Sequence, residues 1–136
     1  MNKRDLHYFK IAKEISKTST FDRIKIGAII VYKKEILSVG VNIKKTHPLQ
    51  KKYNSLRFEC QPEYNHYLHA ELRAIINSNK SNLQNASIYV FREDRRGRLA
   101  PCRPCPACME VIKKYGIKKI FYTTEDGYCE ELINYG

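Results

Sequence analysis

Between Asp5 and Thr18 the apolar residues Leu6, Tyr8, Phe9, Ile11, Ala12 and Ile15 return every three or four positions, which predicts a helix with Asp5 at its amino end. The period then changes. IKIGAIIVY (24–32) and ILSVGVN (36–42) are rich in β-branched residues and flank the charged Lys33-Lys34-Glu35, a pattern that predicts two antiparallel strands joined by a tight turn. From Ile43 to Tyr67 the chain is polar, studded with aromatic residues and interrupted by Pro48 and Pro62, so it reads as a long loop over a site. In LHAELRAIINS, residues Leu68, Leu72, Ile75 and Ile76 form a second helical stripe, followed by the polar turn SNKSNLQNA. ASIYVFR reads as a strand, REDRRGRLA as a charged excursion, ACMEVIKKYG as a helix closing at Gly116, and IKKIFYTT as another strand. YCEELINY reads as a short helix against the sheet. An antiparallel pair leading into strand–helix–strand units predicts an α/β fold, a mixed sheet of about five strands flanked by helices.

A length of 136 residues fits one domain spanning 1–136. With 43% hydrophobic and 29% charged residues, the composition excludes a disordered tail and a collagen-like fibre. A net charge of +11 favours partners that carry phosphate. No apolar run is long enough to span a bilayer, and the start MNKRDLHYFKIAKEISK lacks the apolar core of a secretory signal, so the expected location is cytoplasmic with no membrane partner. Cysteine changes the picture most. Of Cys60, Cys102, Cys105, Cys108 and Cys129, three crowd into one proline-rich stretch, which in a reducing compartment points to metal binding or catalysis rather than disulfides.

The chemistry concentrates in HAE, at the start of the second helix, and PCPAC, at the start of the third. Two thiolates three positions apart can clasp one zinc ion from a single turn, and a histidine from another element makes a third ligand, leaving the fourth position open. Helix amino termini carry partial positive charge, which helps keep thiols deprotonated at neutral pH. That assigns His69, Cys105 and Cys108 to the metal and leaves Glu71, two residues from His69, as a proton carrier. Hydrolytic removal of an amine from an electron-poor ring carbon needs this combination.

HAE followed by PCPAC resembles the zinc-dependent cytidine and deoxycytidylate deaminase superfamily. KIGAIIV, SVGVN, LHAELRAI, ASIYVF, PCPAC and GIKKIFYTT follow the superfamily's order over most of the chain. The resemblance implies a three-layer α/β/α fold, zinc on His69, Cys105 and Cys108, Glu71 as the proton shuttle, and Asn42 on the substrate's sugar or base. Ala70, within HAE, is expected at the substrate as well. It also implies a homo-oligomer. THP after GVN is similar to small phage and bacterial deoxycytidylate-type deaminases, whereas NIKKTHP stands where the regulated members carry a glycine-rich effector loop.

Other readings stay open at this point. PCRPC overlaps PCPAC, and a register using Cys102 and Cys105 would force Pro106 and Ala107 into the first helical turn. A closed structural zinc site drafting Cys102 or His66 would leave Glu71 without a task, and a second zinc on Cys60, His47 or His66 has no supporting spacing. Phosphate could be met by His47 and the lysines of NIKKTHPLQKKY, or by Arg92, Arg95, Arg96, Arg98 and Arg103, with Arg103 nearest the zinc cysteines. Tyr53, Phe58, Tyr64, Tyr67, Phe91, Tyr122 and Tyr128 are candidates for base stacking or for packing, and Cys129 reads as structural. The expected substrate is a cytosine nucleotide, dCMP, with cytosine or adenine in single-stranded DNA or RNA, including transfer RNA, as the alternative. A zinc-stabilised binding module without activity is the third class.

Overall fold

A computed structural model of the chain describes residues 1–53 and 67–133. In order these form α1 (Lys3–Ser16), β1 (Ile26–Tyr32), β2 (Glu35–Val41), β3 (Ile43–Thr46), α2 (Pro48–Tyr53), β4 (Tyr67–Leu68), α3 (Ala70–Ser78), β5 (Ser87–Arg92), α4 (Pro106–Lys114), β6 (Lys119–Thr124) and β7 (Gly127–Leu132). The main sheet runs β2-β1-β5-β6-β7, five strands of which only the β5–β6 pair is parallel. β3 and β4 form a separate antiparallel pair. Among the described residues no helix is long and apolar enough to cross a membrane.

Both faces of the sheet are buried, which explains why IGAIIVY and SIYVFR are nearly continuous apolar runs. Ile29, Tyr89, Phe91 and Phe121 point to the side of α1, where they pack on Tyr8, Phe9 and Ala12. Their neighbours Ile30, Ile88, Val90 and Ile120 point to the opposite side, against Leu72 and Ile75 of α3 and Val111 and Ile112 of α4. Helices therefore cover the two faces, as the three-layer expectation required.

Two segments depart from the sequence reading. YCEELINY is not a helix: Gly127–Leu132 is the edge strand β7, paired in register from Thr124↔Gly127 to Lys119↔Leu132. The tight turn at Glu125-Asp126 and pairing to β6 outweigh the helix propensity of its Glu and Leu residues. The expected loop from 43 to 67 begins instead with β3 and α2, because Pro48 opens a helix rather than breaking one. Cys60, His66, Phe58 and Tyr64 lie outside the described residues.

Gly40 sets how closely α3 can approach β2. A Cβ there would collide with the Ala74 nitrogen and lie 2.6 Å from the Ala70 carbonyl oxygen. Gly40→Ala is therefore expected to lower unfolding stability by about 3 kcal/mol in urea titrations, since backbone must move to make room. A loss below about 0.5 kcal/mol, the ordinary range for a harmless substitution, would show that the contact is not tight.

Candidate active site

His69 and Cys105 occupy equivalent local positions, the N-caps of α3 and α4, both in extended conformation. At an N-cap a Ser, Thr, Asp or Asn side chain usually accepts a bond from the first turn. Neither His69 nor Cys105 makes such a capping bond, and the two side chains turn toward each other instead. Cys108 is the third residue of α4, and an N-cap and the third helical residue share one face, which is the physical reason for the Cys-x-x-Cys spacing. Packing of α3 beside α4 on one sheet face brings the two helix starts together.

His69 Nδ1 lies 3.2 Å from Cys108 Sγ and 3.6 Å from Cys105 Sγ. The three donor atoms fall within 4.8 Å of one another, and among the described residues this is the grouping able to hold a metal ion. One imidazole and two thiols are a borderline-soft set suited to zinc. A hydrogen bond from Cys108 holds the Cys105 thiol down at about 4. Burial pushes the Cys108 thiol well up. Glu71, second residue of α3, is 5% exposed, and burial raises its carboxyl above the usual range against the lowering pull of His69.

His69, Glu71 and Cys105 line a cleft of about 360 Å³, with Cys108 buried behind them. Cys102, Phe21, Ile24, Asn42, Tyr67 and Arg103 are among the other residues that line it. Cys102 is tied elsewhere: its thiol lies 3.1 Å from Thr123 Oγ1 and donates to the Val90 carbonyl at 3.3 Å, and burial pushes it up to about 11. Asn42 is largely committed to the backbone. Its Oδ1 accepts from Ile26 N at 2.9 Å and lies 2.6 Å from Ser19 Oγ, while Nδ2 donates to the Ile24 carbonyl at 2.6 Å, leaving one N–H for another partner.

Of the other residues singled out in the sequence, His47 and Ala70 do not line the cleft. His47 Nδ1 accepts from Leu49 N at 3.1 Å at the start of α2, and Ala70, the first residue of α3, is fully buried. Arg103 is the one of the five arginines that reaches the cleft; Arg98 pairs with Asp94, and Arg92 donates to the Pro101 carbonyl. Tyr67 meets Phe21 edge to face, whereas Phe91 and Tyr122 are buried and Tyr128 packs on Phe9. Cys129 packs against the core.

Several contributors escape sequence reasoning. Gln50 is fully buried in α2, and its Oε1 accepts the backbone N–H of His69 at 3.0 Å. Thr123, also fully buried, donates to the Ala100 carbonyl at 2.7 Å and so anchors the segment leading to Cys102. Phe21 and Ile24 enter the cleft through the turn that Asn42 fastens. Each of these roles depends on juxtaposition in space, and no local spacing announces it.

A helix-flanked mixed sheet with one imidazole and two thiols at adjoining helix starts, and a buried carboxyl beside them, defines a metal-centred site of the nucleobase-deaminase type. Residues 2–124 match the cytidine and deoxycytidylate deaminase zinc-binding region, and the chain belongs to this family. Its cofactor is zinc, and the His69, Cys105 and Cys108 donors fit that ion. A deoxycytidylate deaminase of Mycobacterium phage D29 is 25% identical, over 89% of this chain and 94% of its own. A probable deoxycytidylate deaminase of Caenorhabditis elegans is 29% identical over 88% of this chain, which spans 57% of that relative. The dCMP deaminase of cyanophage S-TIM5 in complex with dCMP and dUMP superposes with a TM-score of 0.62 at 26% identity, covering 90% of this chain and 82% of that one. A cytidine deaminase from Burkholderia pseudomallei, at 16% identity and TM-score 0.66 over 97% and 93% of the two chains, shares the fold.

Proposed function

We infer that the chain is one catalytic domain that converts dCMP and water to dUMP and ammonia. The observation that carries this reading is the buried Glu71 carboxyl beside the three-donor cluster, lining a cleft that also presents Arg103 and Asn42. The likeness to deoxycytidylate deaminases of two phages supports the choice of nucleotide. His69, Cys105 and Cys108 would hold the zinc, which would supply Lewis acidity that makes a water acidic enough to give up a proton near neutral pH.

Glu71 does the proton work. Its carboxylate takes a proton from the water whose oxygen bonds to C4 and delivers it to the pyrimidine N3, then takes the proton of the new C4 hydroxyl and passes it to the exocyclic amine, so that the C4–N bond breaks, ammonia leaves and C4 keeps a carbonyl oxygen. Burial suits this task, since a carboxyl with a raised pKa holds a proton readily between the two transfers. Asn42 offers its remaining N–H to the sugar, and its bonds to Ile24 and Ile26 keep that donor in place. Arg103 meets the 5′-phosphate at the lip. Lys44, 5.6 Å from the centre of the Phe21 ring, adds positive charge beside the aromatic wall. The exposed apolar residues Ile36 on one sheet edge and Leu132 on the other support assembly into a homo-oligomer.

The test is a side-by-side assay of ammonia and base product on dCMP, deoxycytidine and cytosine-containing single strands. Expected is a kcat/KM for dCMP about tenfold or more above both others, with weak salt dependence because a single phosphate releases few counterions. Preference for the strands, with a steep fall in rate as salt rises, would move the assignment to polynucleotide editing despite the single deaminase chemistry.

A further inference from the structure

Arg103 stands at the cleft lip, two residues before Cys105. A free arginine there must give up many side-chain rotamers when it closes on an anion, and that loss weakens binding. Glu131, on the edge strand β7, removes much of this freedom beforehand. Arg103 Nε donates to Glu131 Oε2 at 2.7 Å and Nη2 donates to Oε1 at 3.1 Å, a two-pronged contact that fixes the guanidinium plane as well as its position. The anchor is itself held. Glu131 sits opposite Ile120 in the β6–β7 ladder, which fixes the backbone that carries it.

From this geometry we propose that Glu131 is a positioning residue that pre-orients Arg103 for the 5′-phosphate and so sets the preference for nucleotide over nucleoside. The inference rests on the dCMP reading above. Two of the five guanidinium N–H groups are engaged by the carboxylate, and the Arg103 side chain is still 54% exposed, so donors remain for a phosphate. Glu131 does not line the cleft, which keeps its negative charge behind the guanidinium rather than in the anion's path. An ordinary surface ion pair would contribute little and would have no bearing on which ligand binds. Discrimination between ligands that differ only by a phosphate therefore separates the two roles.

Equilibrium binding of dUMP and of deoxyuridine to the zinc-loaded protein, by titration calorimetry, gives the comparison. Wild type is expected to bind dUMP at least about tenfold more tightly. Glu131→Gln, which keeps the shape but weakens the fork, is expected to lose about five- to tenfold of dUMP affinity, leave deoxyuridine affinity within about twofold and leave zinc content unchanged. Arg103→Lys, which keeps the charge but cannot form the fork, should show the same selective loss and stands in if the first variant fails to fold. Unchanged or tighter dUMP binding in Glu131→Gln, or equal losses for both ligands, overturns the positioning role while leaving the dCMP reading intact. Wild type that does not distinguish dUMP from deoxyuridine instead overturns the phosphate reading itself, and the positioning role with it.

Discussion

Glu71→Gln is expected to keep one zinc per chain and to lose about a thousandfold in kcat for ammonia release. Glutamine preserves the volume of the buried side chain and its ability to hydrogen-bond, but it cannot accept and return a proton. The carboxyl sits inside a helix start, 5% exposed, beside Cys108 and His69, so no bulk water can substitute for it during the transfers. Loss should fall on kcat far more than on KM, because the binding wall formed by Phe21, Asn42 and Arg103 is untouched. Zinc measured by mass spectrometry alongside the ammonia assay separates the roles: a Glu71→Gln protein that emerges without metal would make the carboxylate a ligand and remove the proton carrier from the account.

Cys108→Ala should have the second large effect, on the metal and on stability together. The thiol is fully buried and takes part with Cys105 and His69 in one cluster, so its removal leaves two donors and a cavity. After dialysis the variant is expected to hold less than about a tenth of a zinc per chain. Binding only to the folded state stabilises by mass action, about 4 kcal/mol when ligand stands a thousandfold above its Kd, so the thermal midpoint of the wild-type protein should fall toward that of the variant when a chelator is added. Cys102→Ser is the control. That thiol is bonded to Thr123 and Val90, and the variant should retain full zinc; loss of metal there would instead favour the Cys102/Cys105 register.

The main sheet and the metal donors were legible because their signals are local. A doubly buried strand must be apolar at every position, as IGAIIVY is, and a metal pair on one helical turn must be spaced like Cys105 and Cys108. Residue 131 illustrates the opposite case. Its segment contains good helix formers, and only pairing with β6 turns it into a strand whose inward-leaning Glu131 reaches Arg103. Pro48 misled for a related reason, since proline ends a helix in its interior and begins one at its first position. The substrate side of the cleft was the least readable. Asn42 was visible by its place after β2, but its bonds to Ser19, Ile24 and Ile26 were not, and Gln50 reaches His69 across 19 positions of sequence.

The site is most directly probed by X-ray absorption at the zinc edge on protein purified with its metal, read together with metal content. Expected is one zinc per chain, surrounded by two sulfurs at about 2.3 Å and by nitrogen or oxygen at about 2.0 Å for the remaining positions, one of which exchanges when dUMP is added. A shell with three sulfurs, or one that does not respond to nucleotide, would mean a closed structural centre and contradict a deaminase site built on His69, Cys105 and Cys108.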